Sequence, residues 1–363
     1  MVIRGSRSPQ LNSLQALRGI AATAVVFHHA LLIGIDRFPS IGLDAQVRPS
    51  AAVIQALSIG VDIFFVLSGF LMVWISGPYV RGTKTAGHFM RERILRIWPM
   101  YALMTTVTCL RLAWEFGKTG DLPYDLQPDR LLGYLFIPSF NVEGRLQPIL
   151  VIGWTLIYEM LFYLCFASVI ATGRRFLLLN LTLLLAGLFL IAPWLPALWY
   201  EFLGNPILFE FVIGAGIATV LRTPGSANRS AVLAIAGLSL CIVAMVLAGH
   251  HGDRLVAMGL PAAILFILFF MLETRTVFPR WLLQLGNASY SLYLVHIMVM
   301  YPILGRLSAV LAGHSQSAWM LLVAAGCAII ASIVAGLITY RFLERPITRF
   351  LQSKTRAHDP RPV

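Results

Sequence analysis

The chain has 363 residues, of which 58% are hydrophobic and 12% are charged, and its mean hydropathy is +0.79. This composition excludes an ordinary soluble protein and predicts an all-α, polytopic membrane helix bundle. A membrane-spanning helix needs about 20 mainly apolar residues, so the length accommodates about ten spans and no large extramembrane domain. The net charge of +12 does not indicate nucleic-acid binding, because the basic residues punctuate apolar runs and form no compact patch with aromatic residues.

Apolar windows between polar breaks predict ten spans in chain order. They cover residues 14–35, 51–75, 94–116, 149–170, 176–194, 206–221, 231–249, 255–272, 286–308 and 317–340. If the N-terminus is cytoplasmic, most Lys and Arg residues lie on the cytoplasmic side and most acids on the other. This asymmetry follows the positive-inside rule and predicts that both termini are cytoplasmic. Residues 1–345 then form one transmembrane domain, and 346–363 form a short basic cytoplasmic tail.

The first predicted span carries ionisable residues, which are costly within a membrane and therefore mark a candidate functional site. Arg18 lies near the cytoplasmic end, and His28 and His29 lie about halfway across. The separation of Arg18 and His29 corresponds to three helical turns plus roughly 20° and to a rise of about 16 Å, so these two side chains share a face. His28 points elsewhere. A hydrogen-bonded structural role is the alternative for His29, and its alignment with Arg18 favours a functional one.

Two acidic residues lie in otherwise apolar spans. Asp62 belongs to the second span, near its outer end, where a carboxylate needs a partner or a proton. We expect Asp62 to pair with His29 and to stabilise its protonated ring, as the third member of a catalytic triad does. A structural hydrogen bond between helices is the alternative. Glu159 lies in the fourth span, with Tyr163 one turn further on.

The third and ninth spans add basic and aromatic groups. Arg93 and Arg96 are three residues apart and share a helix face, a pattern that suits phosphate recognition by guanidinium groups. Anchoring to lipid phosphates is the alternative. In the ninth span, Ser289, Tyr293 and His296 form a polar stripe. We expect these side chains, with those of the first, second and fourth spans, to face one polar cavity that opens towards the cytoplasm.

In this order, the motifs resemble the acyltransferase-3 family of bacterial integral membrane proteins, and in particular members that O-acetylate exopolysaccharides and O-antigens. The resemblance is carried by LQALRGIAATAVVFHHA, GVDIFFVLSGFLM, RERILRIWPMYAL, GWTLIYEMLFYL and SYSLYLVH, which span nearly the whole chain. It implies a ten-helix fold, a cytoplasmic acyl-CoA donor and transfer to a carbohydrate hydroxyl. It also implies that His29 is the essential histidine, that Arg18 is its partner and that Arg93 and Arg96 bind the donor.

We therefore predict a membrane O-acyltransferase that moves an acyl group, acetyl by its frequency in the family, from cytoplasmic acetyl-CoA to a surface or exopolysaccharide sugar. His29 is the predicted general base, and a covalent acyl-His intermediate is the less favoured alternative. The predicted site residues form three groups: catalytic His29, Asp62 and Glu159; donor-binding Arg18, Arg93 and Arg96; and acceptor-binding Tyr163, Tyr290, Tyr293 and His296. Four cysteines are scattered singly without metal-ligand spacing, so no metal is expected.

The expected location is the bacterial inner membrane. The expected partners are acyl-CoA, a lipid-linked or polymeric carbohydrate acceptor and membrane lipid, with a homo-oligomer left open. The principal alternative function is a multi-span transporter of a sugar-lipid or small anion, because ten spans with polar groups at mid-membrane also describe many carriers. Carriers often contain inverted repeats or helices broken by paired Gly and Pro residues, and neither is evident in this sequence.

Overall fold

The computed structural model describes residues 11–38, 50–119, 126–222, 254–311 and 318–358. These parts of the chain are mainly helical, and their only strand-like pairing is an isolated antiparallel bridge between Phe140 and Leu146. The α-helices in chain order are α1 (Asn12–Arg37), α2 (Ala51–Leu57), α3 (Ile59–Ile75), α4 (Gly77–Val80), α5 (Ala86–Thr119), α6 (Pro128–Leu131), α7 (Trp154–Thr172), α8 (Leu177–Ile191), α9 (Ala197–Leu203), α10 (Leu208–Arg222), α11 (Leu260–Met271), α12 (Arg280–Asn287), α13 (Ser289–Leu311), α14 (Ala318–Thr339) and α15 (Arg345–His358). Two π-helical segments, Leu255–Gly259 and Tyr340–Glu344, precede α11 and α15.

Among the described residues, seven helical stretches are long and apolar enough to cross a membrane, which makes the chain a multi-pass membrane protein. They are Asn12–Arg37, Ala51–Ile75, Val151–Thr172, Leu177–Trp194, Ala197–Arg222, Ser289–Leu311 and Trp319–Ser353. Each corresponds to one of the predicted spans. The predicted all-α membrane fold is therefore confirmed, and seven of the predicted spans coincide with helices that are long and apolar enough to cross a membrane.

The other three predicted spans have different outcomes. Residues 94–116 lie inside α5, which is not among the seven, because Arg111 and several threonines lower its hydropathy. Residues 255–272 form a shorter apolar helix, Leu255–Met271. Residues 231–249 lie outside the described residues.

The first turn of α1 is fixed by contacts from distant parts of the chain. The backbone N–H groups of Asn12 and Ser13 donate to the carboxylate of Glu273 at 3.0 and 2.6 Å. A helix N-terminus has unpaired N–H groups and a positive dipole, and a carboxylate satisfies both. Gln15 Nε2 also donates to Asn287 Oδ1 of α12 at 2.8 Å. These contacts fix the axial position of α1 relative to the neighbouring helices, and α1 carries two of the predicted site residues.

Two glycines let α3 and α10 pack in backbone contact. A Cβ atom on Gly214 would overlap the carbonyl oxygen of Val66, and a Cβ atom on Gly69 would overlap the carbonyl oxygen of Phe211. Small residues at such crossings allow membrane helices to approach closely. The position of α3 in the bundle therefore depends on these two glycines.

Asp62 occupies the first turn of α3, where it is fully buried, and it pairs with Arg254. Arg254 Nη2 lies 3.0 Å from Asp62 Oδ1, and Glu210 of α10 interacts with both residues. The expected pairing of Asp62 with His29 is therefore wrong. Asp62 faces α10 and the segment before α11, and a buried carboxylate is stabilised by the cation that reaches it there.

Replacing Gly214 by alanine is expected to lower the melting temperature of the detergent-solubilised protein, because the added methyl group would push α3 away from α10. Gly216→Ala is the matched control in the same helix, since nothing lies within 4 Å of a Cβ atom added there. Thermal unfolding followed by fluorescence-detected size-exclusion chromatography measures both. Equal melting temperatures would contradict the close crossing.

Arg254→Met is expected to destabilise the fold, because Asp62 and Glu210 would lose the cation that interacts with both. Removing one partner of a buried ion pair costs about 3–5 kcal/mol. Arg306→Met, which changes an exposed arginine of α13, is the control. The same thermal assay applies, and an Arg254→Met variant as stable as the control would argue against a structural ion pair.

Candidate active site

A cavity of about 260 Å³ lies between α1, α3, α5, α7 and α13. Its wall is apolar along much of α3, and its polar lining residues are Arg18, Ser68, Arg93, Arg96, Thr155, Glu159, Tyr163, Ser289, Tyr290 and Tyr293. The structure therefore brings together the three predicted donor-binding arginines, one predicted catalytic acid and three predicted acceptor-binding tyrosines. These residues come from five helices and converge only in the folded bundle.

Basic groups are concentrated at one part of the cavity. The positive charges of Arg18 of α1 and Arg96 of α5 repel each other, and the carboxylate of Glu344 attracts both. Glu159 attracts Arg18 as well. Arg93 lines the same cavity, and its Nε atom is buried with no hydrogen-bond partner among the described residues. Arg93 also lies 3.7 Å from Glu92, a carboxylate that it shares with Lys84. Four basic side chains thus accompany three carboxylates, and the surplus positive charge and the unused Nε–H donor of Arg93 suit a bound anion.

Glu159 is held by hydroxyl groups. Its Oε1 atom accepts a hydrogen bond from Ser68 Oγ at 3.0 Å and another from the hydroxyl group of Tyr163. Within the described residues these are its hydrogen-bond partners, and His29 is not one of them. Glu159 therefore connects α3 to α7 in the cavity wall and does not orient the histidine.

Glu344 is a site residue that the sequence analysis did not identify. It lies in the π-helical segment before α15, accepts a hydrogen bond from Ser291 Oγ at 2.6 Å and interacts with Arg18 and Arg96. A signal was present in the sequence, because Glu344 is the one acid in the otherwise basic stretch 341–356. An isolated acid near several arginines is a candidate partner for buried ones.

Tyr290 and Tyr293 fix α13 to its neighbours across the cavity wall. The hydroxyl group of Tyr290 donates to the carbonyl oxygen of Ile97 at 2.7 Å. The hydroxyl group of Tyr293 donates to the carbonyl oxygen of Ile152 at 2.9 Å and lies 2.7 Å from Thr155 Oγ1. Both tyrosines therefore shape the cavity through bonds to the protein itself.

His29 and His296 lie behind Tyr293 and do not line the cavity. The ring centroid of His296 is 5.9 Å from that of Tyr293 and 5.0 Å from that of His29. The expectation that both histidines face the cavity is therefore wrong. The rise of α1 between Arg18 and His29, about 16 Å, carries His29 past the cavity end that Tyr293 borders.

The two histidines are bonded to each other. His296 Nε2 lies 3.1 Å from His29 Nδ1. His296 Nδ1 lies 2.7 Å from the carbonyl oxygen of Tyr293 and 3.2 Å from that of Leu292, and His29 Nδ1 lies 3.1 Å from the carbonyl oxygen of Val25. His296 is fully buried and His29 is partly buried. The predicted acceptor-binding His296 is thus the direct partner of the predicted base.

His28 faces a different neighbour, as the helical spacing predicts. Its Nδ1 atom lies 2.7 Å from the carbonyl oxygen of Ile54 in α2. Its ring stands edge-on to that of His29, with centroids 5.1 Å apart. His28 therefore connects α1 to α2.

A second polar cluster lies at the N-terminal end of α5. Glu92 accepts hydrogen bonds from Tyr79 and Lys84 at 2.8 and 3.1 Å and lies 3.0 Å from His88 Nε2. Burial disfavours the charge of Glu92, but these hydrogen bonds outweigh burial and hold its pKa below the ordinary value. Glu92 also lies 3.7 Å from Arg93. The cluster fixes the start of the helix that carries the predicted donor-binding arginines, Arg93 and Arg96.

Comparison with known proteins identifies the family. A family model described as an acyltransferase domain, of the acyltransferase-3 type, matches residues 11–341. The chain is 32% identical over 302 residues to the exopolysaccharide production protein ExoZ of Rhizobium meliloti strain 1021, covering 80% of this chain and 89% of that protein. It is 28% identical over 385 residues to the acyltransferase MdmB of Streptomyces mycarofaciens, covering 95% and 93%. No solved structure gives a significant match. The chain therefore belongs to the acyltransferase-3 family of membrane acyltransferases.

Proposed function

We propose that the protein transfers a short acyl group, acetyl in the first instance, from acyl-CoA to a hydroxyl group of an exopolysaccharide or other surface carbohydrate. Family membership accounts for the acyl transfer and argues against a transporter. The name of ExoZ, a relative concerned with exopolysaccharide production, supports a carbohydrate acceptor. The observation that carries the proposal is a cavity with a basic end and, behind its opposite wall, a histidine pair.

The proposal includes an orientation in the bacterial inner membrane. An arrangement of ten spans puts both termini on one side of the membrane, and we assign the termini and the short basic segments to the cytoplasm. The positive-inside distribution of Lys and Arg residues supports this arrangement. The arginine end of the cavity then faces the compartment that supplies acyl-CoA.

The arginines bind the phosphates of the donor. Arg93 and Arg96 project from one face of α5, and the buried Arg93 Nε atom offers a donor for a charge-assisted hydrogen bond. The pantetheine arm then runs along the apolar wall of α3 towards Tyr293. The rise from Arg18 to His29, about 16 Å, is on the scale of that extended arm. A donor held by its phosphates therefore brings its thioester to the histidine pair.

The chemistry is general-base catalysis at His29. The imidazole takes the proton from the acceptor hydroxyl group while the hydroxyl oxygen bonds to the thioester carbonyl carbon. The carbon–sulfur bond then breaks, CoA leaves as the thiolate, and the thiolate receives the proton from His29. Tyr293 separates the cavity from His29, so its side chain turns away from Ile152 and Thr155 as the acyl end passes. Its released hydroxyl group can donate to the developing oxyanion.

His29→Ala is expected to abolish acylation of surface glycans while the protein remains in the membrane, because removal of a general base costs about 10²–10⁴-fold in rate. The acylation is measured by mass spectrometry of glycans from a deletion strain that carries each variant. The mass that a glycan loses relative to the strain with the wild-type protein identifies both the acyl group and its acceptor. His28→Ala is the matched control and should retain acylation. Normal acylation by a well-expressed His29→Ala variant would refute the role of His29.

Arg93→Gln and Arg96→Gln are each expected to raise the KM for acetyl-CoA by about tenfold or more, the cost of one charge-assisted hydrogen bond, with little change in kcat. Release of the CoA thiol by membranes containing each variant, with lipid-linked saccharides extracted from the deletion strain as acceptor, gives both constants. Arg91→Gln is the control, because Arg91 is exposed on another face of α5. Unchanged KM values in both variants would show that the phosphates bind elsewhere.

A further inference from the structure

We propose that His296 is a positioning residue that fixes the proton of His29 on Nδ1 and so presents His29 Nε2 as the basic nitrogen. The proposal deepens the proposed function and rests on it, since it takes His29 as the base. It is carried by four contacts within hydrogen-bond distance between two rings and three backbone carbonyls.

The backbone carbonyls decide where the protons lie on His296. A carbonyl oxygen can only accept a hydrogen bond, so a ring nitrogen that faces one must carry a proton. His296 Nδ1 faces the carbonyl oxygens of Tyr293 and Leu292, at 2.7 and 3.2 Å. A neutral imidazole carries one N–H group. His296 Nε2 is therefore unprotonated and available as an acceptor.

That acceptor determines the tautomer of His29. The unprotonated His296 Nε2 lies 3.1 Å from His29 Nδ1, so the bond between them requires the proton on His29 Nδ1. The carbonyl oxygen of Val25, also 3.1 Å from His29 Nδ1, imposes the same assignment. The remaining nitrogen of the neutral ring, His29 Nε2, then carries a free lone pair.

The same contacts distinguish the base from its partner. Both ring nitrogens of His296 are engaged, and its side chain is fully buried. His29 is partly buried, and no described residue forms a hydrogen bond with its Nε2 atom. Only His29 can therefore accept a substrate proton without first breaking a bond within the pair.

His296 therefore has the role that was predicted for Asp62, which is to bond to the ring of His29 and stabilise it once it is protonated. When His29 Nε2 takes a proton, the Nδ1–H group remains bonded to His296 Nε2, so the charged ring keeps its orientation and an acceptor. Because this acceptor is neutral, it holds the imidazolium less strongly than a carboxylate would. The ring can therefore return its proton to the departing thiolate.

Nuclear magnetic resonance tests the tautomers directly. The full chain is labelled with ¹⁵N-histidine and reconstituted in nanodiscs, and the two rings are assigned by their absence from the spectra of His29→Ala and His296→Gln. We expect both imidazole rings to be neutral, with Nδ1 protonated and Nε2 unprotonated. Protonation of His29 at Nε2 would overturn the proposal, whatever the activity.

Two substitutions test the kinetic consequence. His296→Gln places an amide oxygen near the position of Nε2 and should keep kcat within about threefold of wild type, whereas His296→Leu offers no acceptor and should lower kcat by about tenfold or more with an unchanged KM for acetyl-CoA. The CoA-thiol assay described above gives both constants. An equal loss of kcat in the two variants would overturn the role of the acceptor.

The outcomes separate this proposal from the proposed function. If His296→Leu fails to fold, the glutamine variant and the wild-type spectrum still decide the matter, because a large loss in folded His296→Gln contradicts the proposal. If the wild-type protein transfers no acyl group, the proposed function fails while the tautomers remain measurable. If transfer is normal but the His29 proton lies on Nε2, only the positioning role fails.

Discussion

The membrane interior forces almost every polar side chain to find a partner, and this constraint organises the molecule. Asp62 is neutralised by Arg254, Glu159 is held by hydroxyl groups, and Glu344 accepts from Ser291 while it offsets nearby arginines. An unpaired polar group costs several kcal/mol in such surroundings. The buried atoms without a hydrogen-bond partner among the described residues include Arg93 Nε and Ser289 Oγ, which belong to residues that line the cavity.

The bundle separates two tasks that acyl transfer combines. One end of the cavity concentrates guanidinium groups, which suit the phosphates of a donor, and the opposite wall is backed by the paired histidines. Tyr293 belongs to both regions, since it lines the cavity and packs against His296. Under the proposed function, donor binding and proton transfer take place in these two separate regions.

The sequence predicted which residues lie around the cavity better than it predicted how they pair. Helical periodicity places Arg18 and His29 on one face of α1, and Arg93 with Arg96 on one face of α5, because both depend on local geometry alone. Pairing depends on which helices become neighbours, and sequence spacing carries no such information. Asp62 accordingly pairs with Arg254, which precedes the predicted span 255–272 and was not among the predicted site residues.

The cavity boundary shows a second limit of sequence reasoning. Tyr293 and His296 are one turn apart on the same stripe of α13, yet only the tyrosine lines the cavity. The spacing predicts that the two side chains share a helix face, but it does not predict the position along α13 at which the cavity ends. Depth depends on the relative heights of the helices, which are fixed by contacts such as the carboxylate of Glu273 on the first turn of α1.

The most direct test of the central claim is an electron cryo-microscopy structure of the full chain with acetonyl-CoA, a ketone analogue that cannot transfer its acyl group. We expect phosphates bound by Arg93 and Arg96, Tyr293 turned aside and the ketone carbon about 6 Å from His29 Nε2, which leaves space for one hydroxyl group between them. Phosphates bound away from both arginines, or a ketone that stays on the far side of an unmoved Tyr293, would contradict it.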